Sequence, residues 1–326
     1  KNSQPIPRCS RFESGRWDTH FSKTIKFLNT LKYEKFMVKI KSILNTALVT
    51  IMIPATLLAS EIKREIVVNI PAYKLTLMEK NGETSKGQNF DVAVGGLFQD
   101  RHPTPSGTGS IYEKRKRVLF FYGGDFPQLK IKKGDVIKWN NTFTPEGKPT
   151  GHKVPYGRMR GLGMKIKADS NGRTFIDYVI HSTLDEHTIG FAVSGGCLRV
   201  GMEDMLRLYD LAAPGIDDGK IDIPLTVKYD LVELNNGNVT IHANIYNKKT
   251  NYTEEFRNLA RKQGIENKFD YTQIEETFRK ADENFKEAYK EIIKRSLKPF
   301  PGNYLPPELR ARFHQTYRLS DLELKL

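Results

Sequence analysis

Cysteine is almost absent from this chain of 326 residues: Cys9 and Cys197 are the whole complement. Two thiols exclude a disulfide-stapled scaffold and are too few for a four-cysteine zinc site. Long apolar runs are equally scarce. Only the stretch 43–59 is apolar enough to matter, which excludes a bundle of membrane-spanning helices. Metal-ligand spacing is missing as well, because His102, His152, His181, His187 and His242 form no H-x-x-E-H or related pattern. No internal repeat and no low-complexity tract is found. What is present, 38% hydrophobic and 28% charged residues, describes a polar chain that can still bury a core as one large domain or two modest ones.

The net charge of +14 is unevenly spread, with half of it in the first 60 residues. A surface this basic tolerates an anionic polymer or membrane without identifying one. Nucleic-acid binding needs basic residues interleaved with stacking aromatics. The one candidate, Lys114–Arg117 before Phe120-Phe121-Tyr122, lies in an expected strand, so no nucleic-acid partner is expected.

Met37 is the first methionine, and Lys39 and Lys41 form a short basic region after it. The apolar stretch 43–59 follows and closes on Ala59-Ser60. Positive flank, apolar middle and small residues are the layout of a secretory signal, so residues 37–60 are expected to be a signal peptide or a membrane anchor. Asn45 and Pro54 interrupt the run, and it is short for a bilayer span. Residues 1–36 are expected to be a non-native or misannotated extension. Export would leave Cys197 as the one cysteine.

From Ile66 the texture is β-rich. Ile66–Ile70, Lys74–Glu79, Asn89–Val94, Gly109–Tyr112, Val118–Tyr122, Val136–Trp139 and Phe175–His181 are expected strands. Asn81-Gly82 is the expected hairpin turn between the second and third. The Gly- and Pro-dense segment 145–163 is expected to be mostly loop, and Leu129–Ile137 reads as strand–turn–strand. Many short strands between such turns predict a mainly β protein with helices (α+β), built on a sandwich or barrel-like core rather than a doubly wound sheet.

Two stretches carry helical periodicity. Met202–Leu211 is a short amphipathic helix just after Cys197. Further on, Ile274, Phe278, Ala281, Phe285, Ala288 and Ile292 step by four and three along one face. Asp270 and Gln273 offer a capping box, and Pro299 ends the run. This helix, the hairpin expected at Asn235–Asn238 and a weak amphipathic turn near Leu309–Tyr317 make residues 228–326 a hairpin and helical C-terminal extension that caps the core.

The chemistry concentrates at His181-Ser182-Thr183 and at Ile189–Val200. An exported protein that keeps a lone thiol either uses it or buries it. Gly195 and Gly196 before Cys197 let a substrate approach the backbone and free N–H groups for an oxyanion. A helix starting near Met202 would favour the thiolate. His181, sixteen residues upstream at a strand end, could form a Cys–His nucleophile pair with Cys197. From these residues alone, a buried structural cysteine is as good a reading of Cys197, and a plain strand-end histidine is the simpler reading of His181.

The segment resembles the active-site signature of the L,D-transpeptidase (YkuD-type) family: a histidine, a spacer, then Ser/Thr-His-Gly-Cys-hydrophobic-Arg. His181, Ser194, Gly196, Cys197, Leu198 and Arg199 match it. Val67-Val68-Asn69, the Lys74–Gly82 hairpin, Val94-Gly95 and Thr104-Pro105-Ser106-Gly107 are similar to earlier family features, so the resemblance spans residues 64–227. One departure is plain: Gly195 stands where many members have histidine, and no residue of the motif replaces it. The stretch 115–164 is also long for the family.

The resemblance implies a peptidoglycan L,D-transpeptidase with a β-sandwich catalytic domain. Cys197 would be the nucleophile and His181 the general base and acid. The backbone N–H groups of Gly196 and Cys197 would hold the oxyanion, and Gly195, Ser194, Arg199, Ser182 and Tyr156 would line the oxyanion or substrate site. The acyl-enzyme formed on a stem tetrapeptide would pass to an amine, giving a 3→3 cross-link or a wall-attached protein. Water as acceptor would make the protein an L,D-carboxypeptidase. A cell-wall-binding protein is the non-enzyme alternative. No metal or cofactor is implied, carbapenem-type inhibitors are expected to react, and the location implied is the periplasm or cell envelope.

Overall fold

Alternating burial sets the first strands of the protein, seen here in a computed structural model that describes residues 62–98, 101–116, 118, 139–143, 149–155, 159–183, 185–297 and 304–324, the backbone alone for 139–155. β1 (Lys63–Asn69), β2 (Lys74–Asn81) and β3 (Thr84–Gly95) form an antiparallel meander. Ile66 and Val68, Leu75 and Leu77, and Phe90, Val92 and Val94 drive one face of it into the core. The register pairs Asn81 with Thr84, so the turn is centred on Gly82-Glu83, one residue later than expected. Gly82, at φ +60°, takes the left-handed position there.

β4 (Gly107–Arg115) follows, then a hairpin of β5 (Trp139–Phe143) and β6 (Pro149–Pro155), then β7 (Gly161–Ala168) and β8 (Thr174–Thr183). β9 (Ala192–Ser194), β10 (Leu198–Gly201), helix α1 (Met202–Ala212) and β11 (Gly219–Lys228) complete this part. The expectation that 145–163 is mostly loop is corrected by β6 and the start of β7. Gly161 and Gly163 read as punctuation in the sequence. In the fold, a Cβ at Gly163 would lie 3.0 Å from the Tyr112 ring, so the glycine admits a side chain packed across the strand. Residues 119–138, which hold most of two expected strands, and residues 1–61, with the expected signal or anchor, lie outside the described residues.

The main sheet has nine strands in the order β10-β8-β7-β4-β11-β1-β2-β3-β9. Val200 and Arg199 of β10 also pair with Val92 and Ala93 of β3, which turns the sheet back on itself. The two layers of the expected sandwich are therefore parts of one folded sheet. Its interior holds Ile111, Leu162, Met164, Ile180, Leu198 and Val200, closed by Met205, Leu208 and Tyr209 of α1. Lys114 fastens the far end of α1 by donating to the Ala213 carbonyl (2.9 Å) with its ammonium over the Tyr209 ring.

The C-terminal residues continue the same core. β12 (Val232–Asn235) and β13 (Asn238–His242) form the expected hairpin, with Asn236 and Gly237 both at positive φ. α2 (Tyr252–Lys262) was not expected; Asn251 caps it, its side chain accepting from the Thr253 and Glu254 N–H groups. α3 (Tyr271–Ser296) buries the expected stripe, and Asp270 accepts from the Thr272 and Gln273 N–H groups. Beyond it, a 3-10 segment (Pro307–Phe313) leads into β14 (His314–Arg318), which adds a third strand to the hairpin. The amphipathic turn expected near Leu309–Tyr317 is thus a 3-10 turn followed by a strand.

A polar cluster ties β14 to its neighbours. His242 Nδ1 and His314 Nδ1 are 2.9 Å apart, so one must donate and the other accept, and the acceptor nitrogen carries no proton. Burial first, then the neighbouring His242, lowers His314 to about 4. Glu233, 3.7 Å from His242 Nε2 and hydrogen-bonded by Asn69 Nδ2 (2.8 Å), is held at about 2 by its contact with His242, against the effect of burial.

Two outcomes are expected. Phe278 lies within 6.5 Å of the Tyr252, Phe256 and Tyr317 rings, so Phe278→Ala should cost about 3–5 kcal/mol in urea unfolding. His314 binds its proton less readily when folded than at the ordinary 6.5, so its contribution is complete above pH 6.5 and is lost as pH falls toward 4. Unfolding free energy measured at pH 7, 5.5 and 4 should decline by up to about 3 kcal/mol from this group. His314→Gln should flatten that decline.

Candidate active site

The parallel pairing of β8 with β10 builds the site. It sets His181 directly across from Arg199 and Ser182 across from Val200. Cys197, two residues before Arg199, therefore falls on the His181 face at the entrance to β10. Both side chains are enclosed, Cys197 2% and His181 5% exposed, while Gly195 and Arg199 are half-buried.

The His181 Nδ1 lies 2.8 Å from the Ser182 carbonyl. A carbonyl only accepts, so Nδ1 carries the proton in the neutral ring and Nε2 is left as the basic nitrogen. Ser182 itself is pinned: its N–H donates to the Arg160 carbonyl and its Oγ accepts from the Arg160 N–H, both at 3.2 Å. The strand end that carries the imidazole is thus locked to the segment leading into β7.

The cysteine loop is held from inside and outside. Ser194 Oγ donates to the Cys197 carbonyl (2.5 Å) and accepts from the Gly196 N–H (3.1 Å). Thr104 Oγ1 donates to the Gly196 carbonyl (2.8 Å) and accepts from the Gly95 N–H (2.9 Å). Tyr246, from the C-terminal residues, donates to the Gly95 carbonyl (2.9 Å) and accepts from the Thr104 N–H (3.0 Å). A Cβ at Gly95 would lie 2.1 Å from the His102 carbonyl, so the segment 102–104 can cross here only over a glycine. Gly196 is required for two reasons: its φ is +119°, and a Cβ would come within 2.3 Å of the Tyr178 ring. At Gly195 a Cβ would meet nothing within 4 Å.

Two expectations are revised. The Gly196 N–H, expected to hold an oxyanion, is committed to Ser194 Oγ. The N-terminus of α1 does not face the thiol either: β10 intervenes, and Glu186 Oε1 accepts from the Met202 N–H at 2.9 Å. Positive charge comes instead from arginines. Burial first, then the repulsion of Arg199, lowers Arg101 to about 10, so it stays a cation at neutral pH. Arg199 also helps lower His187, after burial and against the pull of Asp185. Of the other expected site residues, Ser182, Ser194, Gly195 and Arg199 border this region, and Tyr156 lies outside the described residues. No group of three or more His, Cys, Asp or Glu side chains is placed to hold a metal among the described residues.

Sequence reasoning missed Thr104 and Tyr246 as supports. Thr104 sits within the Thr-Pro-x-Gly turn, but Tyr246 carries no local signal, because its partners are more than 140 residues away. Tyr304 and Arg310 were missed as well. Tyr304 stacks on His187 (centroids 5.2 Å, planes 2° apart), and Arg310 Nη2 donates to the Glu186 carbonyl at 3.3 Å.

With this geometry in place, the comparisons with known proteins decide the family. The description of the L,D-transpeptidase catalytic domain (YkuD) matches residues 63–227, just over half of the chain. The chain belongs to this family. No curated protein sequence matches it significantly. Among solved structures it is similar to L,D-transpeptidase 3 from Mycobacterium tuberculosis (16% identity, TM-score 0.28), covering 51% of this chain and 61% of that one. It is also similar to Bd1075 of Bdellovibrio bacteriovorus (16% identity, TM-score 0.29), covering 51% of this chain and 48% of that one. The chain thus spans about half to three-fifths of these proteins, and the family assignment rests on the domain match.

For this YkuD domain the two glycines should separate cleanly. In thermal melts Gly195→Ala should leave the unfolding free energy within about 0.5 kcal/mol of the parent, whereas Gly196→Ala should cost more than about 2 kcal/mol. Thr104→Val leaves the Gly196 carbonyl and Gly95 N–H without their partner and should cost about 1–3 kcal/mol in the same melts.

Proposed function

We propose that the protein is a peptidoglycan L,D-transpeptidase that works through a thioester on Cys197. The observation that carries this is the His181–Ser182 contact: it leaves Nε2 as the basic nitrogen on the strand face where Cys197 enters β10, and the loop of that enclosed thiol is tied down at both Ser194 and Thr104. A preorganised base and nucleophile of this kind is what acyl transfer needs.

In the proposed sequence, His181 Nε2 takes the thiol proton and the thiolate adds to the carbonyl of the peptide bond between an L-centre and the terminal D-amino acid of a stem tetrapeptide. The oxyanion is met by backbone N–H groups of the loop other than that of Gly196, in the positive field of Arg101 and Arg199. Collapse breaks the C–N bond, the imidazolium protonates the leaving amine, and the thioester remains. An incoming amine then gives up its proton to His181, attacks the thioester and restores the thiol. The amine of a neighbouring stem peptide gives a 3→3 cross-link, and a protein amine gives wall attachment. This chemistry belongs in the cell envelope. Among the described residues no helix is long and apolar enough to cross a membrane.

Purified protein incubated with tetrapeptide-bearing muropeptides should yield cross-linked dimers by mass spectrometry. Tripeptide monomers alone would mean that water is the acceptor and the enzyme is an L,D-carboxypeptidase. No turnover, with intact fold, would contradict both. Cys197→Ala should abolish product, and His181→Gln should lower kcat by about 10²–10⁴-fold.

A further inference from the structure

A cavity of about 220 Å³ opens beside the cysteine loop, bordered by Gly195, His102, Arg173, Phe175 and Tyr178. Three things make it more than a surface dent. It adjoins the cysteine loop, since Gly195, two residues from Cys197, borders it and has no side chain to close the opening. Its walls are fixed. Tyr178 lies against Gly196 and edge-on to Phe175 (5.8 Å, 67°). Arg173 is held by its N–H donating to Asn171 Oδ1 (2.9 Å) and its carbonyl accepting from the Ala168 N–H (2.9 Å), with the guanidinium 5.3 Å from the Phe175 ring centre. His102 is carried by the segment that Thr104 and Tyr246 pin over Gly95. Finally, its lining holds a guanidinium, an imidazole and the Thr174 hydroxyl, and no carboxylate among the described residues.

We propose that this cavity is the subsite for the free α-carboxylate of the residue expelled when Cys197 is acylated, with Arg173 and His102 as its binding groups and Phe175 and Tyr178 as its apolar walls. The proposal rests on the functional reading above. If the thiol attacks the last peptide bond of a chain, the leaving residue carries a carboxylate two bonds beyond the nitrogen, so that charge must sit next to the nucleophile. An arginine steadied on an aromatic face is suited to receive it by paired, charge-assisted hydrogen bonds. The Gly195 position then acts as the doorway, and a side chain there would stand between thiol and carboxylate pocket.

The test compares a stem tetrapeptide with a free C-terminus against the same peptide with a C-terminal amide, following release of the terminal residue by mass spectrometry. The parent protein should favour the free acid in kcat/KM by about ten-fold or more, the scale of one hydrogen bond to a charged group. In Arg173→Gln and His102→Gln that preference should shrink, and in the double variant it should approach unity, with Arg173→Lys intermediate. Arg173 and His102 are exposed, and matched thermal midpoints check that the variants fold. A parent that treats acid and amide alike, or a preference that survives the double variant, overturns the subsite and leaves the functional reading standing. No release from either peptide by the parent contradicts the functional reading and the subsite with it.

Discussion

The parallel ladder between β8 and β10 is the constraint on which the rest depends. These strands come from parts of the chain separated by the segment 184–197, and their pairing decides which side chains share a face. A slip of β10 by one residue would leave His181 in place and bury a charged Arg199 where Leu198 now packs. That register is enforced from both sides. Leu198 and Val200 are fully buried in the common core, and β10 pairs with β3 on its other edge. The geometry of the chemical groups is therefore a by-product of packing apolar residues in strands.

The C-terminal residues take part in this arrangement. Phe313 packs edge-on against Phe191, just before β9, and against Tyr73, between β1 and β2. Tyr246 closes the hydrogen-bonded chain that runs through Gly95 and Thr104 to the Gly196 carbonyl, and its phenol is pushed far above its ordinary range by burial, so it stays a neutral donor. An enclosed loop with a positive-φ glycine has few contacts of its own with which to hold one shape, and the polar groups that hold it come from three distant segments. The expected cap is woven into the support of the site.

How much of this was legible in the sequence depended on range. Period-two and period-four patterns gave β1, β2, α1 and the buried face of α3, because those signals are local and repeat. The candidate site residues stood out through residue type and order: a lone thiol, two glycines, an upstream histidine. β7 was obscured by Gly161 and Gly163, which make room for the Val118 side chain and the Tyr112 ring respectively. The turn at Gly82 slipped by one because Asn81 and Gly82 both accept left-handed geometry, and the pairing of Asn81 with Thr84 decides between them. The hydrogen bonds of Tyr246 and the crossing of residues 102–104 over Gly95 span long sequence separations and leave no mark in any short window. Gly195 read as a missing imidazole in the sequence; in the fold it is the opening of a cavity whose imidazole, that of His102, comes from another loop.

The central claim is that Cys197 is a nucleophile activated by His181. It is tested most directly by trapping: the protein is incubated with a carbapenem, digested, and the adduct located and timed by mass spectrometry. The account predicts a stoichiometric adduct on the peptide carrying Cys197, formed much more slowly in His181→Gln and absent in Cys197→Ala. An unmodified Cys197 in the folded parent, or equal rates with and without the imidazole, would contradict it.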